Sequence, residues 1–340
     1  MSAAKESTAP ALAESRKPGV KRYAALDCGT NTIRLYVADV APDGTVTRVT
    51  RQTEIVRLGQ GVDETGELHP EALKRTLAAA HRYGSELRRL QPDAIRFVAT
   101  SATRDARNGH EFINGIKAAI GVEPEVISGD EEAALAFAGA TSWLTNKFPG
   151  PYLVVDLGGG STELVLGGQQ VIAAYSMDVG SVRLTERRLK TDPPTAAEIA
   201  SARADTDAMI KRAQAIVPIA ETRTIVGVAG TVTTLAAYHL GLKQYSAEAV
   251  NGLALTPTQI LNDCDAMISM TKAQRLSLGI MQPGRADIIG AGAVIWSEVV
   301  KQVADAVVAA GHPAPLVVAS DFDMLDGIVA GLHASAQRGG

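Results

Sequence analysis

The sequence predicts an α/β protein built from two similar halves. Each half opens with a β-rich run, an Asp-x-Gly turn and a second β-rich run, and helices and strands alternate after it. Four positions of these openings match at a constant separation of 129 residues: Asp27 with Asp156, Gly29 with Gly158, Thr32 with Ser161, and Leu35 with Leu164. This spacing indicates an internal repeat at the scale of a domain.

The first half is assigned to residues 20–148, after a tail at residues 1–19 that we expect to be flexible. It opens with a meander of about three strands that begins at Tyr23, turns at Asp43-Gly44 and ends near Leu58. The predicted elements that follow are a helix from His69 to about Leu90 with Pro70 at its first position, a strand at Ala94–Thr100, a helix at about 109–120, a strand at Glu125–Ile127 and a helix from Gly129.

The second half, residues 149–335, begins at the breaker Phe148-Pro149-Gly150-Pro151. After its strand–turn–strand opening, the predicted elements are a helix from the capping box Thr195-x-x-Glu198 to about Ile216, a strand at Thr224–Val228, a helix opened by Thr256-Pro257, a buried helix at Arg285–Val303 and a strand at Leu316–Ala319. The last helix, about 321–335, is in a position to pack back on the first domain.

Composition excludes several classes of protein. The chain has 340 residues, of which 46% are hydrophobic and 21% charged, and this is enough for two globular cores. A net charge of −4 argues against nucleic acid or an anionic membrane as the primary partner. Cys28 and Cys264 lack metal-site spacing, which favours a reducing, cytoplasmic location. No secretory signal is evident, and no apolar run approaches the ~18 residues of a membrane span.

The two Asp-x-Gly turns indicate phosphate binding. Glycines let the backbone approach a ligand closely, and successive backbone N–H groups in such a turn hold an anionic oxygen. A carboxylate at a strand end can hold hydrated Mg²⁺ through one or two oxygens. Hydroxyl and amide donors lie in both turns: Thr30, Asn31, Thr32, Ser161 and Thr162. Two facing turns would clamp one phosphate from both sides, whereas a single turn would be interpreted as an ordinary hairpin.

The more common nucleotide and hydrolase motifs are absent from the sequence. It contains no G-x4-G-K-[ST] loop, no G-x-G-x-x-G after a strand and no G-x-S-x-G elbow. These absences exclude the P-loop, dinucleotide-binding and serine-hydrolase interpretations.

The segment Ser128-Gly-Asp-Glu-Glu predicts the start of a helix, and one of its acidic residues has no structural role in that start. Ser128 and Glu131 have the spacing of a capping box, which gives Glu131 a structural role. Glu132 lies in the same first turn, where the helix dipole favours its ionised form. It could activate a water molecule beside a bound phosphate, or simply stabilise the helix dipole.

Arginines supply candidate phosphate ligands. Arg104 lies just past a predicted strand end, which is where ligands bind in α/β sheets. A second group, Arg183, Arg187, Arg188 and Lys190, would suit a track for a long polyanion, with an ordinary solvated face as the alternative.

Several of these motifs resemble the Ppx/GppA phosphatases, the exopolyphosphatases and guanosine pentaphosphate phosphatases. The motifs that carry the resemblance run in family order from about residue 22 to residue 332: Asp27–Leu35, Ala99–Asn108, Ile127–Ala133, Val155–Leu164, Gly227–Leu235, Arg285–Gly290 and Ser320–Gly327.

The resemblance implies the actin/Hsp70/sugar-kinase fold, with two ribonuclease-H-like domains around a cleft, and release of terminal phosphate that depends on Mg²⁺ or Mn²⁺. It makes Glu132 the catalytic glutamate and Arg104 the substrate-binding arginine, and it counts Asp156 as a third catalytic residue. The implied phosphate-binding residues are Asp27, Gly29, Thr30, Asn31, Thr32, Arg34, Ser101, Gly158, Gly159, Gly160, Ser161 and Thr162. The implied metal-linked carboxylates are Asp156, Glu163 and Asp27.

The sequence leaves the substrate open between inorganic polyphosphate and guanosine pentaphosphate (pppGpp). The short form, without the C-terminal HD-type region of longer members, favours polyphosphate. More distant alternatives are a kinase of the same fold and a non-catalytic, actin-like assembly protein. The resemblance also implies a homodimer.

Overall fold

A computed structural model describes residues 16–144 and 147–338. Most of the predicted tail, residues 1–15, lies outside the described residues. Within them, two sheets share one topology. In the first, the strand order is β3 (Val46–Ile55), β2 (Thr32–Val40), β1 (Lys21–Cys28), β4 (Ala94–Ala99), β5 (Glu125–Val126). In the second it is β10 (Ala254–Leu255), β11 (Leu316–Ala319), β9 (Thr224–Val228), β6 (Tyr152–Leu157), β7 (Thr162–Gly167), β8 (Val171–Met177). The innermost pairs, β1 with β4 and β6 with β9, are parallel, whereas the hairpins β1–β2 and β6–β7 are antiparallel.

The elements of the first half are β1 (Lys21–Cys28), β2 (Thr32–Val40), β3 (Val46–Ile55), α1 (Val62–Thr65), α2 (Pro70–Leu90), β4 (Ala94–Ala99), α3 (Ser101–Asp105), α4 (Gly109–Ile120), β5 (Glu125–Val126) and α5 (Gly129–Thr141). The predicted meander, helices and strands are confirmed to within a few residues at their ends. His69 caps α2 by accepting from the Glu71 N–H, and Pro70 occupies the first helical position, as predicted.

The elements of the second half are β6 (Tyr152–Leu157), β7 (Thr162–Gly167), β8 (Val171–Met177), α6 (Ser181–Arg188), α7 (Ala196–Gln214), β9 (Thr224–Val228), α8 (Ala229–His239), α9 (Ala247–Val250), β10 (Ala254–Leu255), α10 (Pro257–Ser269), α11 (Lys272–Ser277), α12 (Ile289–Ala309), β11 (Leu316–Ala319) and α13 (Met324–Arg338). The capping box that opens α7 is confirmed, with Thr195 and Glu198 bonded reciprocally. The buried helix α12 starts four residues later than predicted, because a 3₁₀ turn occupies Pro283–Arg285.

The last helix of each half packs on the sheet of the other half. α13 lies on β1, β2 and β4 of the first sheet, and its Leu325 and Ile328 join the core formed by Tyr23 and Tyr36. α5 lies on β6, β7 and β8 of the second sheet, where Phe137 joins the core. Chain order alone would leave α5 with the first domain, so its position on the second sheet differs from what a boundary at residue 148 implies.

The two exchanged helices contact each other backbone to backbone. A Cβ added at Gly139 would lie 1.8 Å from the Asp323 carbonyl oxygen, and one at Gly327 would lie 2.1 Å from the Leu135 carbonyl oxygen. These distances leave no room for a side chain, so the crossing of α5 and α13 requires glycine on both helices.

A further finding concerns membranes. None of the helices in residues 16–144 and 147–338 combines the length and the apolar character that crossing a bilayer would require.

We predict that Gly327→Ala lowers the free energy of unfolding by about 1–3 kcal/mol, because the added methyl group must displace backbone at the helix crossing. The matched control is Gly331→Ala on the same helix, where a Cβ meets nothing within 4 Å. That control should gain about 0.5–1 kcal/mol from helix propensity. Urea denaturation measures both changes, and equal stability of the two variants would contradict the tight crossing.

Candidate active site

The two Asp-x-Gly turns meet face to face. Gly159 of the second turn is so close to the first that a Cβ there would lie 3.0 Å from the Thr30 Cβ. A Cβ at Gly160 would lie 2.5 Å from the Thr30 hydroxyl and 2.7 Å from the Ser101 hydroxyl. The Thr30 and Ser101 hydroxyls are themselves hydrogen-bonded at 2.9 Å. Glycine is therefore needed in the second turn for this contact, which brings β1, β4 and β6 together at one point.

A cleft of about 350 Å³ opens between the turns. Its walls contain most of the predicted site residues: Asp27, Gly29, Thr30, Asn31, Thr32, Arg34, Ser101, Glu132, Asp156, Gly158, Gly159 and Ser161. Arg104, Gly160, Thr162 and Glu163 are not part of the cleft lining. The turns thus supply the backbone cradle that a phosphate requires.

Two of the predicted side chains are used for other purposes. The Thr162 hydroxyl is fully buried and donates to the Val179 carbonyl oxygen at 2.6 Å, so in this structure it is engaged away from the cleft lining. The Glu163 carboxylate is also buried, and it accepts from the Ser176 hydroxyl at 2.8 Å.

The repeat places different partners beside its two aspartates. Asp27 pairs across the β1–β2 hairpin with Arg34, and the closest ionic contact between them is 2.7 Å. The equivalent partner of Asp156, across the β6–β7 hairpin, is Glu163. The first carboxylate is therefore neutralised, whereas the second faces another carboxylate.

The pKa values follow from these pairings. Burial, and after it the charge of Glu163, raises the pKa of Asp156 to about 8. Burial also raises the pKa of Glu163 and of Asp27, and Arg34 opposes the rise at Asp27. The cleft therefore favours a bound proton or a cation.

Glu132 comes from the first turn of α5, and only 7% of it is exposed. Burial raises the pKa of Glu132 well above its ordinary value, and the charges of Glu163 and Asp156 raise it further. Ser128 is confirmed as the N-cap of α5, but the predicted capping box with Glu131 does not form. Ser128 accepts from the Glu131 N–H at 3.2 Å, but the Glu131 carboxylate binds Arg96 at 2.6 Å instead of closing the box.

Arg104 reaches Glu132 from α3, which follows the carboxyl end of β4. Its Nη1 donates to the Ile127 carbonyl oxygen at 2.9 Å and lies 3.5 Å from the Glu132 Oε2. The side chain remains 31% exposed. The guanidinium is thus held beside the buried carboxylate with its other donors available.

Arg34 cannot serve as a free phosphate ligand in this conformation. Besides Asp27, it binds Asp323 at 2.6 Å, and Asp323 also binds Arg51 at 2.9 Å. Arg51 in turn binds Asp326 at 2.9 Å. The sequence did not indicate this network, because Asp323, just before α13, lies 289 residues from Arg34, and Asp326, in the first turn of α13, lies 275 residues from Arg51.

Arg285 is a further site residue without a role in the sequence analysis, although Arg285–Gly290 is one of the motifs that carry the family resemblance. It lines the cleft, and its Nη1 donates to the Thr234 hydroxyl at 2.8 Å. Burial lowers the pKa of Arg285 to about 10. Within residues 16–144 and 147–338, no carboxylate forms an ion pair with it. Tyr245 also lines the cleft.

The predicted polyanion track is not supported. Arg183 and Arg187 both bind Asp63, and Arg188 binds Asp205 at 2.6 Å. These guanidinium groups are already neutralised, so a long polyanion would have to displace aspartates.

The carboxylates that line the cleft suit a divalent ion that keeps part of its hydration shell. Among the residues that the structure describes, no three His, Cys, Asp or Glu side chains form a ready metal site. Asp27 Oδ1 is nevertheless buried without any hydrogen-bond partner, and it faces the same cleft as Asp156. Mg²⁺ usually takes one or two carboxylates and completes its shell with water and substrate phosphate.

Two repeats of this topology around a glycine-lined anion cleft define a phosphate-handling protein of the actin/Hsp70/sugar-kinase superfamily. The predicted fold class is confirmed. The Ppx/GppA phosphatase family matches residues 36–310, and the chain belongs to that family, whose members hydrolyse phosphoanhydride bonds.

Similarity to individual proteins extends over nearly the whole chain. Exopolyphosphatase 2 of Mycobacterium tuberculosis is 44% identical over 319 residues, which are 92% of this chain and 98% of that protein. The crystal structure of an exopolyphosphatase-like protein is 45% identical with a TM-score of 0.90, and it covers 94% of this chain and 99% of that chain. A family member from Aquifex aeolicus is 28% identical with a TM-score of 0.74, covering 93% and 99%.

We predict that Asp156→Asn stabilises the metal-free protein increasingly as pH rises from 5 to 9. Folded Asp156 has a pKa of about 8, well above the usual value of about 4 for an unfolded aspartate, so folding retains a proton in this interval. Raising the pH therefore removes stability from the wild type and not from the amide variant. Thermal unfolding in EDTA measures the difference, with Asp305→Asn, at an exposed position of the otherwise buried helix α12, as the control. A difference that does not change with pH would contradict the raised pKa.

Proposed function

We propose that this protein is an exopolyphosphatase that hydrolyses the terminal phosphoanhydride bond of inorganic polyphosphate, with Glu132 as the general base. The observation that carries the proposal is the pairing of a buried Glu132 with Arg104 at 3.5 Å, beside a cleft formed by two glycine turns. Family membership supports the reaction class, and the likeness to a protein named exopolyphosphatase supports the substrate.

In this proposal, backbone N–H groups, Arg104 and Glu132 have separate roles in the reaction. Backbone N–H groups of the turns at Thr30–Asn31 and Gly159–Ser161 hold the terminal phosphoryl oxygens, since those of Gly29 and Gly158 close the turns themselves. Arg104 donates to the same group and offsets the negative charge. Glu132 accepts a proton from a water whose oxygen attacks the terminal phosphorus. The bond from that phosphorus to the bridging oxygen breaks, which releases orthophosphate and a chain that is one unit shorter. Catalysis on this scheme is mainly positioning and electrostatics.

A divalent cation belongs to the proposal, with Mg²⁺ as the first candidate and Mn²⁺ as the second. Ppx/GppA phosphatases generally use a divalent metal. When bound, it would neutralise phosphate charge, and Asp27 and Asp156 are the residues that would hold it. The unpartnered Asp27 Oδ1 and the raised pKa of Asp156 support this assignment. Glu163 would act behind Asp156 through its charge.

A second candidate substrate, pppGpp, has one observation in its favour. Arg285 has no ion-pair partner within the described residues and lines the cleft together with Tyr245. A guanidinium and an aromatic ring could receive an additional phosphate and a base.

The cellular location and the oligomeric state of the protein are also part of the proposal. Cys28 and Cys264 are both free and buried, which supports a reducing, cytoplasmic location. The homodimer stays a prediction based on the family resemblance.

We predict that Glu132→Gln lowers the rate of phosphate release by roughly 10²–10⁴-fold while the protein remains folded, because the amide keeps the shape and loses the base. The matched control is Glu131→Gln, since Glu131 is the neighbouring carboxylate and binds Arg96 outside the cleft. Release is measured from short and long polyphosphate, pppGpp and ATP. Undiminished release by the Glu132 variant would contradict its role as base. Wild-type release from pppGpp alone would move the function to the second candidate, and no release from any substrate would favour a kinase or an assembly protein.

We predict that Mg²⁺ raises the melting temperature of the wild type and that Asp27→Asn shifts the half-saturating Mg²⁺ concentration upward by at least about tenfold. Differential scanning fluorimetry after EDTA treatment measures the shift without requiring turnover. Asp305→Asn removes one acidic charge remote from the cleft and should titrate as the wild type does. An unchanged Mg²⁺ titration in the Asp27 variant would remove that residue from the metal site.

A further inference from the structure

Helix α6 begins directly beneath the second phosphate turn. The Ser181 N–H donates to the Gly158 carbonyl oxygen at 3.0 Å. The Gly159 carbonyl oxygen accepts from the N–H groups of both Val182 and Arg183, at 2.9 and 3.1 Å. Movement of α6 must therefore move the turn that faces the terminal phosphate.

The Arg183 side chain extends from this helix to the first half of the chain. Its Nη2 lies 2.7 Å from the Asp105 Oδ2, and its Nε lies 3.2 Å from the Asp63 Oδ1. Its Nη1 makes a weaker contact of 3.4 Å with Asp178 of its own half. Only 11% of the Arg183 side chain is exposed, although the three aspartates are more accessible.

The two residues of the first half that Arg183 contacts, Asp105 and Asp63, lie on helices that are connected to site residues. Asp105 follows Arg104 on α3, a helix of five residues that begins at Ser101. Asp63 lies on α1, just beyond Gly59, whose N–H donates to the Thr30 carbonyl oxygen at 2.9 Å. One guanidinium thus connects the second turn, the approach to the first turn and the helix that carries Arg104.

We propose that Arg183 is a positioning residue for the proposed hydrolysis, which holds α3 so that Arg104 faces the second turn. The three ionic contacts of Arg183 are all with aspartates, so in this proposal it acts through Arg104 rather than on the phosphate itself. A helix as short as α3 has little stability of its own, so a side-chain anchor at its last residue determines where Arg104 points. This inference rests on the proposed function only for its kinetic test.

The fold should survive loss of Arg183. Asp63 would keep Arg187, whose Nη2 lies 2.6 Å away, and Asp105 is 37% exposed and can be hydrated. The matched control is Arg188→Gln, which removes the same charge from the same helix but breaks only an exposed pair with Asp205 inside the second half.

The kinetic test is a double-mutant cycle of Arg183→Gln with Arg104→Gln. In the wild-type background, Arg183→Gln should lower kcat for polyphosphate roughly 10–100-fold, because a displacement of about 1 Å in a positioning group costs up to this much. In the Arg104→Gln background, the same change should alter kcat by less than about threefold, because the group being positioned is gone. Arg188→Gln should match the wild type. An unchanged rate in Arg183→Gln, or an equal loss in both backgrounds, overturns the proposal.

Hydrogen exchange separates this inference from the proposed function, because it requires no turnover. Mass spectrometry should show faster amide exchange in a peptide spanning α3 in Arg183→Gln, and no change there in Arg188→Gln. Unchanged exchange overturns the role of Arg183 even in an active enzyme. If the wild type releases no phosphate from polyphosphate, the proposed function fails, and the exchange result alone decides whether Arg183 holds α3.

Discussion

The backbone contact between α5 and α13 is the constraint on which the cleft depends. Each helix ends one half of the chain and lies on the sheet of the other half, and they cross where Gly139 and Gly327 leave no room for a side chain. This exchange fixes the start of both helices at the cleft. Glu132 enters from the first turn of α5, and Asp323 immediately precedes α13.

The cleft that results contains more acidic than basic charge at its base. Asp27 is neutralised by Arg34, whereas Asp156 faces Glu163, and Glu132 has only a 3.5 Å contact with Arg104. Buried like charges of this kind raise pKa values and make proton or cation binding favourable. The two halves of the repeat have thus diverged in function: one turn is electrostatically satisfied, and the other is prepared to take up positive charge. A base with a raised pKa suits proton transfer near neutral pH better than an ordinary glutamate would.

Ion pairs hold the two halves around this cleft. Arg183 and Arg187 of α6 bind Asp63, Arg57 binds Asp287 at 2.6 Å, and the aspartates at the start of α13 bind the arginines of β2 and β3. Several of these contacts involve residues that also orient a phosphate turn or its neighbour. Closure of the halves and assembly of the site are therefore coupled through the same side chains.

The sequence by itself determined the elements, the repeat and the identity of the residues in both turns. These depend on local patterns such as the His69–Pro70 helix start, the Thr195–Glu198 capping box and the matched Asp27 and Asp156 turns. The tertiary structure decided which side chains are free. It bonds the Thr162 hydroxyl to the Val179 carbonyl oxygen and the Glu163 carboxylate to the Ser176 hydroxyl, occupies Arg34 with Asp323, and leaves Arg285 without an ion-pair partner among the described residues. Local patterns cannot predict this, because each outcome depends on a partner that only the exchange of α5 and α13 or the meeting of the two turns brings into contact.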